Sequence, residues 1–109
     1  MNGSGMNDPA NPHRGETALV LGGVKHVLRP SFAALTAAEE ELGPLFALVE
    51  RAGAGQLRLG EMIALFWHCR KRRDDLARDA FAEAVCAEGL AACTAPLRAL
   101  LVQILRGKA

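Results

Sequence analysis

Hydrophobic residues are most concentrated between Leu57 and Cys69, a stretch that also holds the only tryptophan of the chain. At helical spacing its apolar side chains cover well over half of the helix surface; they are Leu59, Met62, Ile63, Phe66, Trp67 and Cys69. Such a helix has no wide polar face to turn toward water, so other elements or a partner must cover it. We therefore predict a central helix from Leu59 to about Arg72.

Two short β-prone runs precede this helix and are separated by Gly22 and Gly23. A Gly-Gly pair supplies the positive φ angles of a two-residue hairpin turn. The predicted register pairs Leu21 with Val24, Val20 with Lys25, Leu19 with His26, Ala18 with Val27, Thr17 with Leu28 and Glu16 with Arg29. A lone hairpin is marginally stable in water, so it either lies on helices or is extended by a strand of another chain. Both alternatives remain open.

Four further helical stretches surround the central one. The first runs from Ser31, its cap, to Leu42, and buries Phe32, Leu35, Ala38 and Leu42; Gly43 ends it. The second runs from Pro44 to Ala52. The third is capped by Asp74 or Asp75 and runs to about Glu88. The last begins near Ala95 after a Thr94 cap, because Pro96 is unfavourable inside a helix, and it buries Leu97, Leu100, Leu101, Ile104 and Leu105.

These elements predict an α+β fold in which an N-terminal β-hairpin packs on a small bundle of four to five helices. Residues 15–107 form the single domain, and residues 1–14 are rich in Gly, Asn and Pro and are expected to be a disordered arm. Met1 and Met6 are both candidate start residues.

Length and charge limit the classes of function. With 109 residues and a formal net charge of +1, the chain has one small core and no global field that would capture nucleic acid. No run has the length of a membrane span, and the first residues do not resemble a signal peptide. We therefore expect a cytoplasmic protein that has no membrane partner, and for which nucleic acid is not the favoured partner.

No arrangement of residues predicts catalysis, a metal or a cofactor. His68 and Cys69 with Cys86 and Cys93 lack the spacing of metal-ligand pairs, so reduced core thiols are favoured. Neighbouring residues of a helix point about 100° apart, so His68 and Cys69 cannot form a nucleophile and its base. The consecutive acids at residues 39–41 are interpreted as a solvated face. The chain is predicted not to be an enzyme.

The strongest candidate for a partner site is the end of the central helix. It comprises Met62, Phe66, Trp67, Arg70, Lys71, Arg72 and Arg73. The apolar members are either core or a partner groove. The cations either complement the helix dipole, contact phosphates of DNA, or meet an acidic patch on another protein.

The opening of the chain resembles a known family. The string from Arg14 to Gly23 (RGETALVLGG), followed by LRPSFAAL from Leu28 to Leu35, is similar to the start of small gene-transfer-agent tail proteins. These are classed with siphophage tail assembly chaperones and sometimes labelled tail tube proteins. The resemblance continues through the Glu-containing helix that ends at Gly43 and through Glu88-Gly89-Leu90, and it spans about residues 14–107. Members often carry Asp-Gly or Asn-Gly at the turn, where this chain has Gly22-Gly23. Residues 66–73 are bulkier and more basic here than in the usual version.

The resemblance implies a non-catalytic role in building a phage-like tail. Such a chaperone would coat the tape-measure protein until tail tube subunits polymerise around it, and a tube subunit would instead use the hairpin edge to form a homo-oligomer. The expected partners are thus the tape-measure protein, the tail tube protein, or further copies of the chain. The alternative is a small DNA-binding or regulatory protein that uses residues 70–73.

Overall fold

The computed structural model describes residues 11, 15–71 and 76–107. In these ranges the chain forms two strands and five helices, which confirms the predicted α+β class. The elements are β1 (Thr17–Leu21), β2 (Val24–Leu28), α1 (Phe32–Leu42), α2 (Leu45–Gly53), α3 (Leu59–Cys69), α4 (Arg78–Glu88) and α5 (Leu90–Arg106). Asn11 is the one described residue before Gly15, so the rest of the predicted arm lies outside the described residues.

The hairpin has the predicted register, with Thr17 opposite Leu28 and Leu21 opposite Val24. Both turn glycines have positive φ angles, +56° at Gly22 and +81° at Gly23, which residues with a Cβ rarely adopt. The hairpin turns one face toward the helices, and the leucines of that face are buried; they are Leu19, Leu21 and Leu28. The helices of the same chain therefore support the hairpin, which was one of the two alternatives.

Helix α3 is the centre of the core, as the apolar pattern predicts. Five consecutive residues, 62–66, are buried, and Phe66 is fully so. Side chains from the hairpin and from each of the other helices pack into the same cluster; they include Leu19, Ala38, Leu48, Phe81 and Leu100. Continuous burial explains why a stretch without a polar face is stable here.

Two of the predicted helix boundaries are confirmed by their caps. The Ser31 hydroxyl oxygen accepts a hydrogen bond from the Ala34 amide at 3.1 Å and so starts α1. Gly43, with φ of +89°, ends the same helix and donates its N–H to the Glu39 carbonyl.

Three other boundaries differ from the prediction. Helix α3 ends at Cys69 rather than near Arg72, because the next residues pair with β2. Helix α4 begins at Arg78 with Ala77 as its N-cap, so neither predicted aspartate caps it; Asp74 and Asp75 themselves lie outside the described residues.

Helix α5 also differs, because it starts at Leu90 and continues through Pro96. Proline in a helix interior costs about 3 kcal/mol. The apolar positions before and after Pro96 lie on the same face of the helix, however, since Cys93 and Leu100 are both buried. Burial of that continuous face outweighs the lost hydrogen bond, so the predicted start near Ala95 is wrong.

Some side chains assigned to the core are exposed instead. Phe32 is 85% exposed, Leu105 64% and Leu59 45%. All three lie in the first or last turn of their helices, where fewer neighbouring elements reach over the helix. Within the described ranges no single helix has the length and apolar character to cross a bilayer; α4 and α5 meet that test only together, as a pair bent by 112°.

Candidate functional site

After α3 the chain runs beside β2 instead of continuing as a helix. Arg70 forms an isolated antiparallel bridge with Leu28. Two backbone hydrogen bonds of 2.8 Å flank the bridge, from the Arg29 N–H to the Cys69 carbonyl and from the Lys71 N–H to the Val27 carbonyl. Opposite residues of an antiparallel pair share a face and successive residues alternate. Leu28 and Arg70 therefore lie on the core side of the bridge, whereas Arg29 and Lys71 lie on the other side.

Arg70 is a core residue even though it begins the basic run. It is only 5% exposed, and its guanidinium carbon lies 5.2 Å from the Trp67 ring centroid and 5.4 Å from that of Phe81. Its Nε donates to His26 Nδ1 at 3.3 Å. Aromatic faces attract a cation, and the aliphatic stem of the side chain adds apolar contact. Arg70 thus joins β2, α3 and α4.

Lys71 forms an ion pair with a buried carboxylate. Its Nζ lies 2.9 Å from Glu16 Oε2, and the side chain of Glu16 is 2% exposed while that of Lys71 is 41% exposed. The other Glu16 oxygen accepts the Asn11 N–H at 3.1 Å, and the Glu16 carbonyl accepts a hydrogen bond from Gln103. The predicted cross-strand pair of Glu16 with Arg29 is therefore wrong, because Lys71 reaches the carboxylate from a third segment.

A second cluster of charged groups connects three helices. Glu41 of α1 accepts hydrogen bonds from Arg78 of α4 at 2.9 and 2.5 Å, and His68 Nε2 of α3 lies 2.8 Å from Glu41 Oε1. The bonds from Arg78, and after them that from His68, lower the pKa of Glu41 to about 2. This carboxylate fixes the ends of α1 and α3 against the start of α4.

A cleft of about 260 Å³ opens between the start of α1 and the end of α3. Its lining residues are Arg29, Ser31, Ala33, Ala34, Ala37, His68, Cys69, Arg70 and Lys71. The floor on the α1 side consists of alanines, and no carboxylate is among these described lining residues. The cleft therefore combines small side chains with cations.

Two phenylalanines are almost fully exposed on the first two helices. Phe32, the first residue of α1, is 85% exposed, and Phe46, the second residue of α2, is 87% exposed. A phenylalanine buries a large apolar area when it is covered, so both side chains are candidates for a partner contact.

The sequence profile of the family described as "Phage tail tube protein, GTA-gp10" matches residues 14–107. The chain belongs to this family. The match confirms the resemblance to gene-transfer-agent and phage tail proteins, although the family description names a tail tube protein and not an assembly chaperone. Comparisons with curated proteins and with solved structures find no match.

In this GTA-gp10 family member the predicted partner residues fall into three groups. Met62 and Phe66 are buried, which confirms the core interpretation of the apolar row; Trp67 is half-buried against Phe81. Arg70 is buried as well, and Lys71 is exposed. Arg72 and Arg73 lie outside the described residues. That any of the seven contacts a partner stays a prediction.

The thiols and the histidine of α3 have separate structural surroundings. Burial raises the pKa of the Cys69 thiol to about 12, which keeps it protonated and unreactive at neutral pH. His68 points to Glu41 instead. Cys86 is exposed and Cys93 is buried, and within the described ranges no three side chains of His, Cys, Asp or Glu form a cluster that could hold a metal ion.

Sequence reasoning missed Arg29, Phe32 and Phe46 as candidates. The apolar spacing of α1 predicts that Phe32 lies in the core. The hairpin register predicts that Arg29 pairs with Glu16. The alternation of β2 does put Arg29 on the face away from the core, but the sequence does not indicate that residues 69–71 come to lie beside it.

Proposed function

We propose that this GTA-gp10 family member is a non-enzymatic tail-morphogenesis protein that binds the tape-measure protein as an assembly chaperone. The family match supports the role in tail morphogenesis. The observation that carries the binding role is the exposure of Phe32 and Phe46, the two most exposed large hydrophobic side chains among the described residues. The proposed location is the bacterial cytoplasm and the assembling particle, and the function requires no cofactor.

The physical basis is that an apolar contact of the tape-measure protein with the chaperone is later replaced by an apolar contact with tube subunits. A long, partly apolar helical rod aggregates unless its surface is covered. Covering one phenylalanine contributes roughly 1.5–3 kcal/mol before the cost of association is subtracted, so two such contacts form a weak cover that tube subunits can displace. A reversible cover of this kind suits a chaperone.

A tail tube subunit is the second candidate, which the family description favours. Such a subunit would form a homo-oligomer through the hairpin edge. The outer edge of β2 is already bonded at Val27 and Arg29 by residues 69–71. By alternation, Ala18 and Val20 are the outward residues of β1, and no hydrogen bond from another described element reaches their backbone. An open edge of two residues is short for holding a ring together, which supports the chaperone over the subunit.

The DNA-binding alternative loses one of its four cations to the core, because Arg70 contacts Trp67 and Phe81. Failure to bind duplex DNA even at low salt, where phosphate contacts are strongest, would end this alternative.

Co-expression with a fragment of the tape-measure protein tests the proposed function. The wild-type chain should raise the soluble fraction of the fragment and co-purify with it. A variant with Phe32→Ser and Phe46→Ser should lose both effects, whereas Leu90→Ser, at a 58% exposed site on α5, should retain them. If the fragment stays insoluble with the wild-type chain, the proposal is wrong.

A further inference from the structure

We infer that the cleft between the start of α1 and the end of α3 binds an acidic polypeptide segment, with Arg29 and Lys71 as its cationic contacts. The inference rests on the proposed function in one respect, since it takes a tail protein as the source of the segment. It names a surface different from the predicted apolar row of α3.

The bridge beside β2 sets the spacing of the two cations. Leu28 lies opposite Arg70, so Arg29 and Lys71 are diagonal neighbours on the same side of the bridge. Diagonal neighbours of an antiparallel pair lie about 7–8 Å apart, and their Cβ atoms are somewhat closer. An extended peptide repeats its same-face side chains at about 6.6–6.8 Å. Two acidic residues separated by one position therefore match the two cations.

Both cations keep donors for a ligand. Arg29 is exposed and has no ion pair in the described ranges. Lys71 bonds Glu16, yet its side chain is 41% exposed, and an ammonium group has three N–H donors. Hydrogen bonds between charged partners are the stronger kind, and a bidentate guanidinium–carboxylate contact also fixes the orientation of the ligand.

The floor of the cleft favours a polypeptide chain. Ala33, Ala34 and Ala37 line it with methyl groups only, and Ser31 adds one hydroxyl group at the rim. Small side chains allow a backbone to approach closely. A volume of about 260 Å³ holds a few residues of an extended chain.

Charge complementarity selects an acidic segment over nucleic acid. No carboxylate is among the described residues that line the cleft. Farther along α1, however, Glu39 and Glu40 are exposed. These acids repel a long polyanion that continues beyond the cleft, whereas a short acidic segment avoids them.

Fluorescence anisotropy with a labelled peptide of alternating glutamate and alanine tests the inference on the full chain. Duplex DNA and a peptide of alternating lysine and alanine serve as the other probes. We expect the acidic peptide to bind, and Arg29→Glu to weaken it by roughly tenfold or more, the loss of one charge-assisted contact. Lys25→Glu makes the same charge change at an exposed position of β2 outside the cleft, and it should weaken binding far less.

The outcomes separate this inference from the proposed function. Loss of peptide binding in Arg29→Glu but not in Lys25→Glu supports the cleft, whether or not the tape-measure fragment co-purifies. No binding of the acidic peptide, equal losses in the two variants, or binding of DNA in its place overturns the cleft.

Discussion

Replacement of Arg70 by alanine tests whether the first cation of the basic run belongs to the core. The change removes a guanidinium group that lies 5.2 Å from the Trp67 ring centroid and 5.4 Å from that of Phe81. It also removes the hydrogen bond to His26 and the stem that fills the space between β2 and α4. A residue that served only to contact a partner could be replaced without such losses.

The size of the effect follows from these contacts. Desolvated cation–π contacts contribute up to about 2 kcal/mol, and truncation of a large buried side chain leaves a further cavity cost. We expect Arg70→Ala to lower the free energy of unfolding by about 2–4 kcal/mol. For a domain of this size that corresponds to a fall in Tm of about 10–25 °C. Arg70→Met keeps most of the packing and should lower the free energy of unfolding by about 1–2 kcal/mol.

Urea denaturation followed by circular dichroism and by Trp67 fluorescence measures this difference. Trp67 is the only tryptophan, and its ring centroid lies 5.5 Å from that of Phe81, so its emission reports on this part of the core. Arg98→Ala, at an exposed position of α5, is the control and should change stability by less than about 0.5 kcal/mol. An Arg70→Ala protein as stable as that control would refute the core assignment.

Three further experiments test other parts of the structure. Glu41→Gln should lower stability at pH 7 by about 1 kcal/mol, because solvent screens a side chain that is 38% exposed. The folded-state pKa of Glu41 is about 2, below the ordinary 4.5. The contribution of the ionised carboxylate to stability is therefore complete above about pH 4.5 and is lost toward pH 2. Urea denaturation at several pH values should show the stabilities of the wild-type and Glu41→Gln proteins converging at low pH. In the folded protein Cys86 should react with iodoacetamide and Cys69 should not; fast labelling of both, read by mass spectrometry, would contradict the burial of Cys69. Gly23→Ala should lower the free energy of unfolding by about 1 kcal/mol because of the positive φ at this residue, whereas Gly60→Ala, inside α3, should raise it. Equal changes for the two variants in urea denaturation would argue against the turn geometry.

Local signals predicted most of the fold. The Gly22-Gly23 turn fixed the hairpin register, since a two-residue loop leaves one pairing for the strands. Ser31 and Gly43 marked the ends of α1, because capping depends on neighbouring residues only. Apolar spacing identified α3 as the central helix. These features are determined within a few residues of sequence.

Other features depend on contacts between distant segments, and sequence spacing did not reveal them. Arg70 and Lys71 leave the helical path because β2 offers free backbone groups, and the alternative of a longer helix has the same local pattern. Pro96 stays inside α5 because Cys93 and Leu100 are buried on one continuous face. Phe32 satisfies the apolar period of α1, yet no described element covers it. The cleft at Arg29 results from the same long-range pairing.

Light scattering of the purified chain, alone and mixed with the tape-measure protein, tests the central claim most directly. The account predicts a chain that stays small alone and forms a complex of defined mass with the tape-measure protein, keeping it in solution. Rings or tubes formed by the chain alone, with the tape-measure protein left uncomplexed, would contradict the chaperone role and favour the tube subunit.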